Sequence, residues 1–176
     1  MQTVLQWDEG IALYKSSFKQ IKLQHPERCH ECGCTKFHKW GKYERFVIEK
    51  DADHYVPIQR IRCVKCRKTY SYLPSFCISR SYYSVELIMN FLETLILRVR
   101  REIKEMRRQA YRFKKLFIRL ENTWITYLRI RGIRDFPAKG NERTVKIFTA
   151  LLKIYESENL LAGFLRETGR HFMREK

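Results

Sequence analysis

The sequence predicts an α+β protein: an N-terminal zinc ribbon with a three-stranded antiparallel sheet, then a mostly α-helical bundle with a helix-turn-helix-like segment. Three observations carry this expectation. Two Cys-x-x-Cys pairs, Cys29/Cys32 and Cys63/Cys66, stand 30 residues apart. The stretches beside them are rich in aromatic and β-branched residues, as strands are. After Pro74 no Pro or Gly follows until Gly132, and apolar residues recur there in steps of three and four. The 176 residues divide into an N-terminal helix and ribbon (1–82), a basic helical domain (83–135) and a C-terminal helical pair (136–176).

The ribbon strands are read from Lys36 to Ile48, Tyr55 to Arg62 and Lys68 to Leu73, with a turn at Asp51–His54. A Cys-x-x-Cys turn lets two thiolates reach one ion, and zinc takes four soft ligands in a tetrahedron. Cys29, Cys32, Cys63 and Cys66 are therefore the expected ligands of one structural zinc ion. A closed set of four thiolates leaves no position open for a substrate. Cys34 and His30 are weaker candidates, and Cys77 reads as a small buried residue.

Ser84 is a fitting N-cap for a helix from Val85. Beyond it, the apolar positions from Ile88 to Tyr127 suit either one long helix or several short ones around a shared core. On the second reading a short helix spans about Arg100 to Met106 and another starts near Arg107. In the tail, Asn141 and Ser157 can cap two further helices, which close the core or dimerise.

The formal net charge is +17, from 36 Lys and Arg against 19 Asp and Glu. Arg98 to Arg119 holds ten basic residues against Glu102 and Glu105. Such a density of like charge implies a polyanionic partner. The expected nucleic-acid contacts are Arg100, Arg101 and Lys104 from the first helix, then Arg107, Arg108, Gln109, Tyr111, Arg112, Lys114 and Lys115 from the second. Arg and Gln can bond guanine and adenine in bidentate fashion, and the remaining cations can hold phosphates. Val85 to Leu97 is too short and too charged to cross a bilayer. The first ten residues do not read as a secretion signal, so the expected setting is the reducing cytoplasm, on the nucleoid. No nucleophile elbow or phosphate-loop motif is present, and the few Asp residues do not suggest a two-metal site, so neither catalysis nor a small-molecule substrate is expected.

Cys29-x-x-Cys32-Gly, followed by Arg60-Ile-Arg-Cys63-x-x-Cys66-Arg-Lys-Thr-Tyr-Ser-Tyr-Leu-Pro-Ser-Phe76, resembles the zinc ribbon at the head of many bacterial insertion-sequence transposases. Glu102 to Lys115 resembles the helix-turn-helix that follows there. Small bacterial proteins that share this arrangement without a catalytic domain are the nearest likeness, over about residues 25–130. The resemblance implies a non-enzymatic, zinc-containing reader of duplex DNA, a transposon-related regulator or accessory factor. Two other readings compete. Phe37, Trp40, Tyr43, Tyr70 and Tyr72 could stack unpaired bases in an RNA-binding module. The ribbon and bundle could also form an adaptor on an acidic protein such as a polymerase or a CRISPR-type effector.

Overall fold

A computed structural model describes residues 2–7, 9–99 and 106–157, together with Leu160 and Phe164. The chain forms two compact units, residues 1–82 and 83–176.

The first unit is built on a four-stranded mixed sheet. Its strands are β1 (Gln2–Leu5), β2 (Phe37–Ile48), β3 (Asp53–Cys63) and β4 (Thr69–Pro74), in the order β1-β4-β3-β2. β2, β3 and β4 are antiparallel neighbours, but the expected three-stranded antiparallel sheet is corrected by β1. This strand runs parallel to β4, with Val4 opposite Leu73. The reason is an edge: β4 is buried along most of its length, and β1 pairs the backbone groups it would otherwise leave open.

Helix α1 (Ile11–Ser17) buries Ile11 and Tyr14 on the sheet. Tyr14 packs edge-on against Trp7, Phe18 and Phe76, and its hydroxyl donates to the Pro57 carbonyl at 3.0 Å. That core also takes Val47, Val56, Ile58, Leu73 and Cys77. Cys77 is thus a core residue, and burial pushes its thiol up to about 12. A second core gathers Ile61, Tyr70 and Tyr72 around Cys29 and Cys63.

The second unit is helical: α2 (Val85–Ile96), α3 (Arg107–Arg119), α4 (Glu121–Ile130) and α5 (Asn141–Ser157). A single rod from 83 to 131 does not form. The Leu97 N–H closes α2 on the Glu93 carbonyl, and Arg98 takes a left-handed φ of 60°. At Leu120 the backbone N–H bonds the carbonyls of Leu116 and Phe117, which separates α3 from α4. Aromatic packing accompanies the break: Phe117 stacks on Trp124 at 5.5 Å and meets Phe148 edge-on at 5.7 Å, and Trp124 Nε1 donates back to the Phe117 carbonyl at 3.0 Å. α5 packs on α2 and α4 within this unit, so the first tail helix joins the bundle. The second tail helix, from Ser157, lies outside the described residues except Leu160 and Phe164, as does the short helix from Arg100 to Met106 except Met106.

Ser84 caps α2, accepting the Leu87 N–H at 3.1 Å in extended geometry. Removing that acceptor leaves a buried N–H unpaired. Ser84→Ala should lower stability by about 1 kcal/mol, read as a lower urea midpoint with unchanged slope, whereas Ser84→Asp should keep most of it.

Candidate metal centre and basic helix

Two short turns carry the four cysteines, and they share one backbone design. In the first, Cys29 N–H donates to the Cys34 carbonyl and Gly33 N–H to the Cys29 carbonyl, both at 2.8 Å. In the second, Cys63 N–H donates to the Lys68 carbonyl at 2.9 Å and Arg67 N–H to the Cys63 carbonyl at 3.1 Å. The residue after the second cysteine has a left-handed φ in both turns, 67° at Gly33 and 61° at Arg67. Each turn folds its backbone N–H groups inward and brings two sulfurs to one point.

The sulfurs of Cys29, Cys32, Cys63 and Cys66 all lie within 4.8 Å of one another. Cys29 Sγ is 3.5 Å from Cys66 Sγ, and Cys32 Sγ is 3.6 Å from Cys63 Sγ. A tetrahedral ion with metal–sulfur bonds of about 2.3 Å has edges of about 3.8 Å, so these separations fit one metal ion at the centre. The four cysteines named from the sequence are thus brought together. Cys34 and His30 stand outside the cluster: the Cys34 sulfur accepts the Lys36 N–H at 3.4 Å, and the His30 N–H bonds the Tyr70 hydroxyl at 3.1 Å.

Tyr70, which spacing alone does not mark as part of the site, sits beneath the cluster. Its hydroxyl donates to Cys29 Sγ at 3.1 Å. That bond, with help from backbone N–H groups and against the effect of burial, brings the Cys29 thiol down to about 6. Burial and the same bond push Tyr70 up to about 12. The Lys68 backbone N–H favours the Cys66 thiolate, but burial and hydrogen bonds to the other three cysteines outweigh it and push Cys66 up to about 12. A cation bound among the four sulfurs would displace the thiol protons. Lys68 and Glu31 form an ion pair at 2.8 Å between the two turns. It holds the Glu31 carboxyl below its ordinary value and Lys68 above its own.

The other predicted residues lie on or before α3. Arg100, Arg101 and Lys104 fall outside the described residues. Arg107, Arg108, Tyr111, Arg112 and Lys115 are exposed, as are Ile118 and Arg119. At 100° per residue these seven fill one arc of about 140°, free of acidic side chains. Gln109 and Lys114 are placed elsewhere. Gln109 is half-buried, and the Lys114 ammonium donates to the Leu95 carbonyl at 2.9 Å, satisfying the end of α2. The inner side of α3 is apolar: Ala110 and Phe117 are buried, and Phe113 meets Tyr83 at 5.4 Å and Phe91 at 6.3 Å.

The paired turns differ in one residue whose effect can be measured. A left-handed conformation costs a non-glycine residue about 1 kcal/mol, so Arg67→Gly should be neutral or stabilising by up to about 1 kcal/mol. Gly33→Ala should lose about that amount through backbone strain alone, because nothing lies within 4 Å of the added methyl. Thermal unfolding of the two variants beside the parent protein gives both values.

Residues 28–109 match a family described as a domain of unknown function (DUF6431). The match begins at the residue before Cys29, takes in both cysteine turns and α2, and ends within α3. No curated protein and no solved structure is similar to the chain.

Proposed function

We propose that this chain is a non-catalytic, zinc-containing DNA-binding protein, with α3 as the helix that meets the duplex. The observation that carries this reading is the exposed arc of α3. Five cations, Arg107, Arg108, Arg112, Lys115 and Arg119, share one side of a helix about 20 Å long, which suits the width and depth of a major groove. An anionic membrane would attract the same charge, but a helix lying on lipid needs its apolar face free. Here that face is taken by α2, α4 and α5 through Phe113 and Phe117.

In this reading Arg108 and Arg112 address bases, and Arg107 and Lys115 address phosphates. Tyr111, at 44% exposure, has room to meet a sugar or a thymine methyl. Gln109 and Lys114 leave the contact set, because one is half-buried and the other closes α2. Arg100, Arg101 and Lys104, which lie outside the described residues, remain proposed contacts by their charge. Zinc fits the four sulfurs because thiolates in a tetrahedron suit it, and four protein ligands make the site structural. Placed so, the chain works as a regulator or accessory factor of the transposon-related kind, in the cytoplasm and on the nucleoid.

Two measurements test the reading. Elemental analysis of protein purified without chelator should give one zinc per chain, and Cys63→Ser should lose the metal and unfold the first unit; protein without metal, or with iron, would overturn the zinc assignment. Duplex binding should weaken with salt along a slope of about −4 to −5 on logarithmic axes, and Lys115→Ala should flatten it by about 1. Arg108→Ala should cost about 1–3 kcal/mol on a selected site, while Lys114→Ala should act on stability alone. Unchanged duplex affinity in the Arg108, Arg112 and Lys115 variants would remove α3 from the interface.

A further inference from the structure

The first unit carries an aromatic platform that the α3 reading does not use. Trp40 lies on β2, at the edge of the sheet, and is 43% exposed. Of Phe37, Trp40, Tyr43, Tyr70 and Tyr72, Trp40 is the exposed ring; Tyr55, also exposed on β3, packs against Phe46 at 5.2 Å. Tyr70 and Tyr72 are buried, Phe37 packs edge-on against Tyr70 at 5.6 Å, and Tyr43 is half-buried beside α1.

The local backbone turns Trp40 outward. The β2–β3 register slips between Lys39 and Lys42, so an extra residue bulges from β2. Gly41 takes the left-handed φ of 81° that the bulge needs, and Gln59 Nε2 satisfies its carbonyl at 2.8 Å. The indole is then held from two sides. The Arg62 guanidinium stands 4.0 Å from the ring centroid, and the His38 ring meets it edge-on at 5.7 Å. Arg62 is itself fixed, since its Nε donates to the Arg67 carbonyl at 3.0 Å.

The surroundings are cationic. Arg60 and Arg62 alternate along β3 with Ile61 and Cys63, so they point away from the cysteine core. Arg60 covers Tyr43 at 5.6 Å. Residues 36–45 and 59–68 hold nine Lys and Arg against Glu44 alone. A rigid indole among cations offers a π-face for a base and charge for its phosphates. A duplex hides its base faces and cannot use such a ring, whereas an unpaired strand can.

We propose that Trp40, braced by Arg62, is a stacking site for an unpaired base of single-stranded nucleic acid, separate from the α3 contact and independent of it. The experiment uses the full zinc-loaded chain with three unlabelled probes: an eight-residue oligothymidylate, an eight-residue oligouridylate and a duplex. Tryptophan emission is followed, with Trp7 half-buried and Trp124 buried as internal references. At least one single strand should quench emission. Trp40→Ala should remove the quench and weaken that strand's binding about 5- to 100-fold, measured by anisotropy of a labelled copy, while Trp40→Phe should stay within about threefold. Circular dichroism and metal content confirm that the variants fold. Quenching by thymidylate and uridylate alike identifies any single strand as the ligand, and quenching by uridylate alone identifies RNA.

The proposal is overturned if neither strand quenches, or if Trp40→Ala binds single strands as the parent does. The α3 reading fails separately: a double substitution, Arg108→Glu with Arg112→Glu, that leaves duplex affinity intact removes that reading and leaves the stacking site standing.

Discussion

Four sulfurs meeting within 4.8 Å are the constraint on which the first unit depends. Two turns far apart in sequence must arrive at one point with their sulfurs inward. β3 and β4 meet at the second turn, and β2 begins just after the first, opposite Cys63. The core beneath is small: Ile61, Tyr70 and Tyr72 are its buried residues beside Cys29 and Cys63. A core of that size contributes little stability by itself at this end of the unit, and a bound metal would add to it. Tyr70 ties the two demands together, because one hydroxyl bonds Cys29 Sγ while its ring fills the core. The register of the sheet and the chemistry of the cluster therefore cannot be varied independently.

The second unit solves a different problem, how to hold a densely charged helix in a folded protein. α3 does so by turning its buried apolar residues to one side and its cations, with Tyr111 and Ile118 among them, to the other. Ala110, Phe113 and Phe117 face the bundle, and the cations face water. Lys114 is the exception that supports the rule. It lies at the boundary of the arc, and its ammonium is spent on the Leu95 carbonyl, where a helix C-terminus welcomes positive charge.

Much of this was legible before any coordinates. Cysteine spacing picks out the four sulfurs, because the ligand geometry of an ion tolerates few alternatives. Alternation marks β2, β3 and β4, and Ser84 marks the start of α2. β1 was missed because four residues of Gln-Thr-Val-Leu carry too little pattern, and what makes them a strand is a distant edge. Leu120 was missed for a related reason. No Pro or Gly interrupts the helical periodicity there, and the break sits where Phe117 stacks on Trp124 across it. Gln109 and Lys114 read as contacts because composition reports charge and polarity; which way a side chain turns depends on the phase of the helix against its neighbours. Tyr70 reads from the sequence as a stacking aromatic or as core, since nothing in a strand tyrosine tells that its hydroxyl meets a sulfur.

Arg62 leans on the Arg67 carbonyl, which belongs to the second cysteine turn, and Trp40 leans on Arg62. The exposed ring and the sulfur cluster are thus two ends of one chain of contacts, only a few side chains long. Thermodynamic linkage makes such a chain reciprocal: whatever orders one end lowers the cost of ordering the other. An ion that fixed the second turn would also fix the Arg67 carbonyl on which Arg62, and through it the indole, rests.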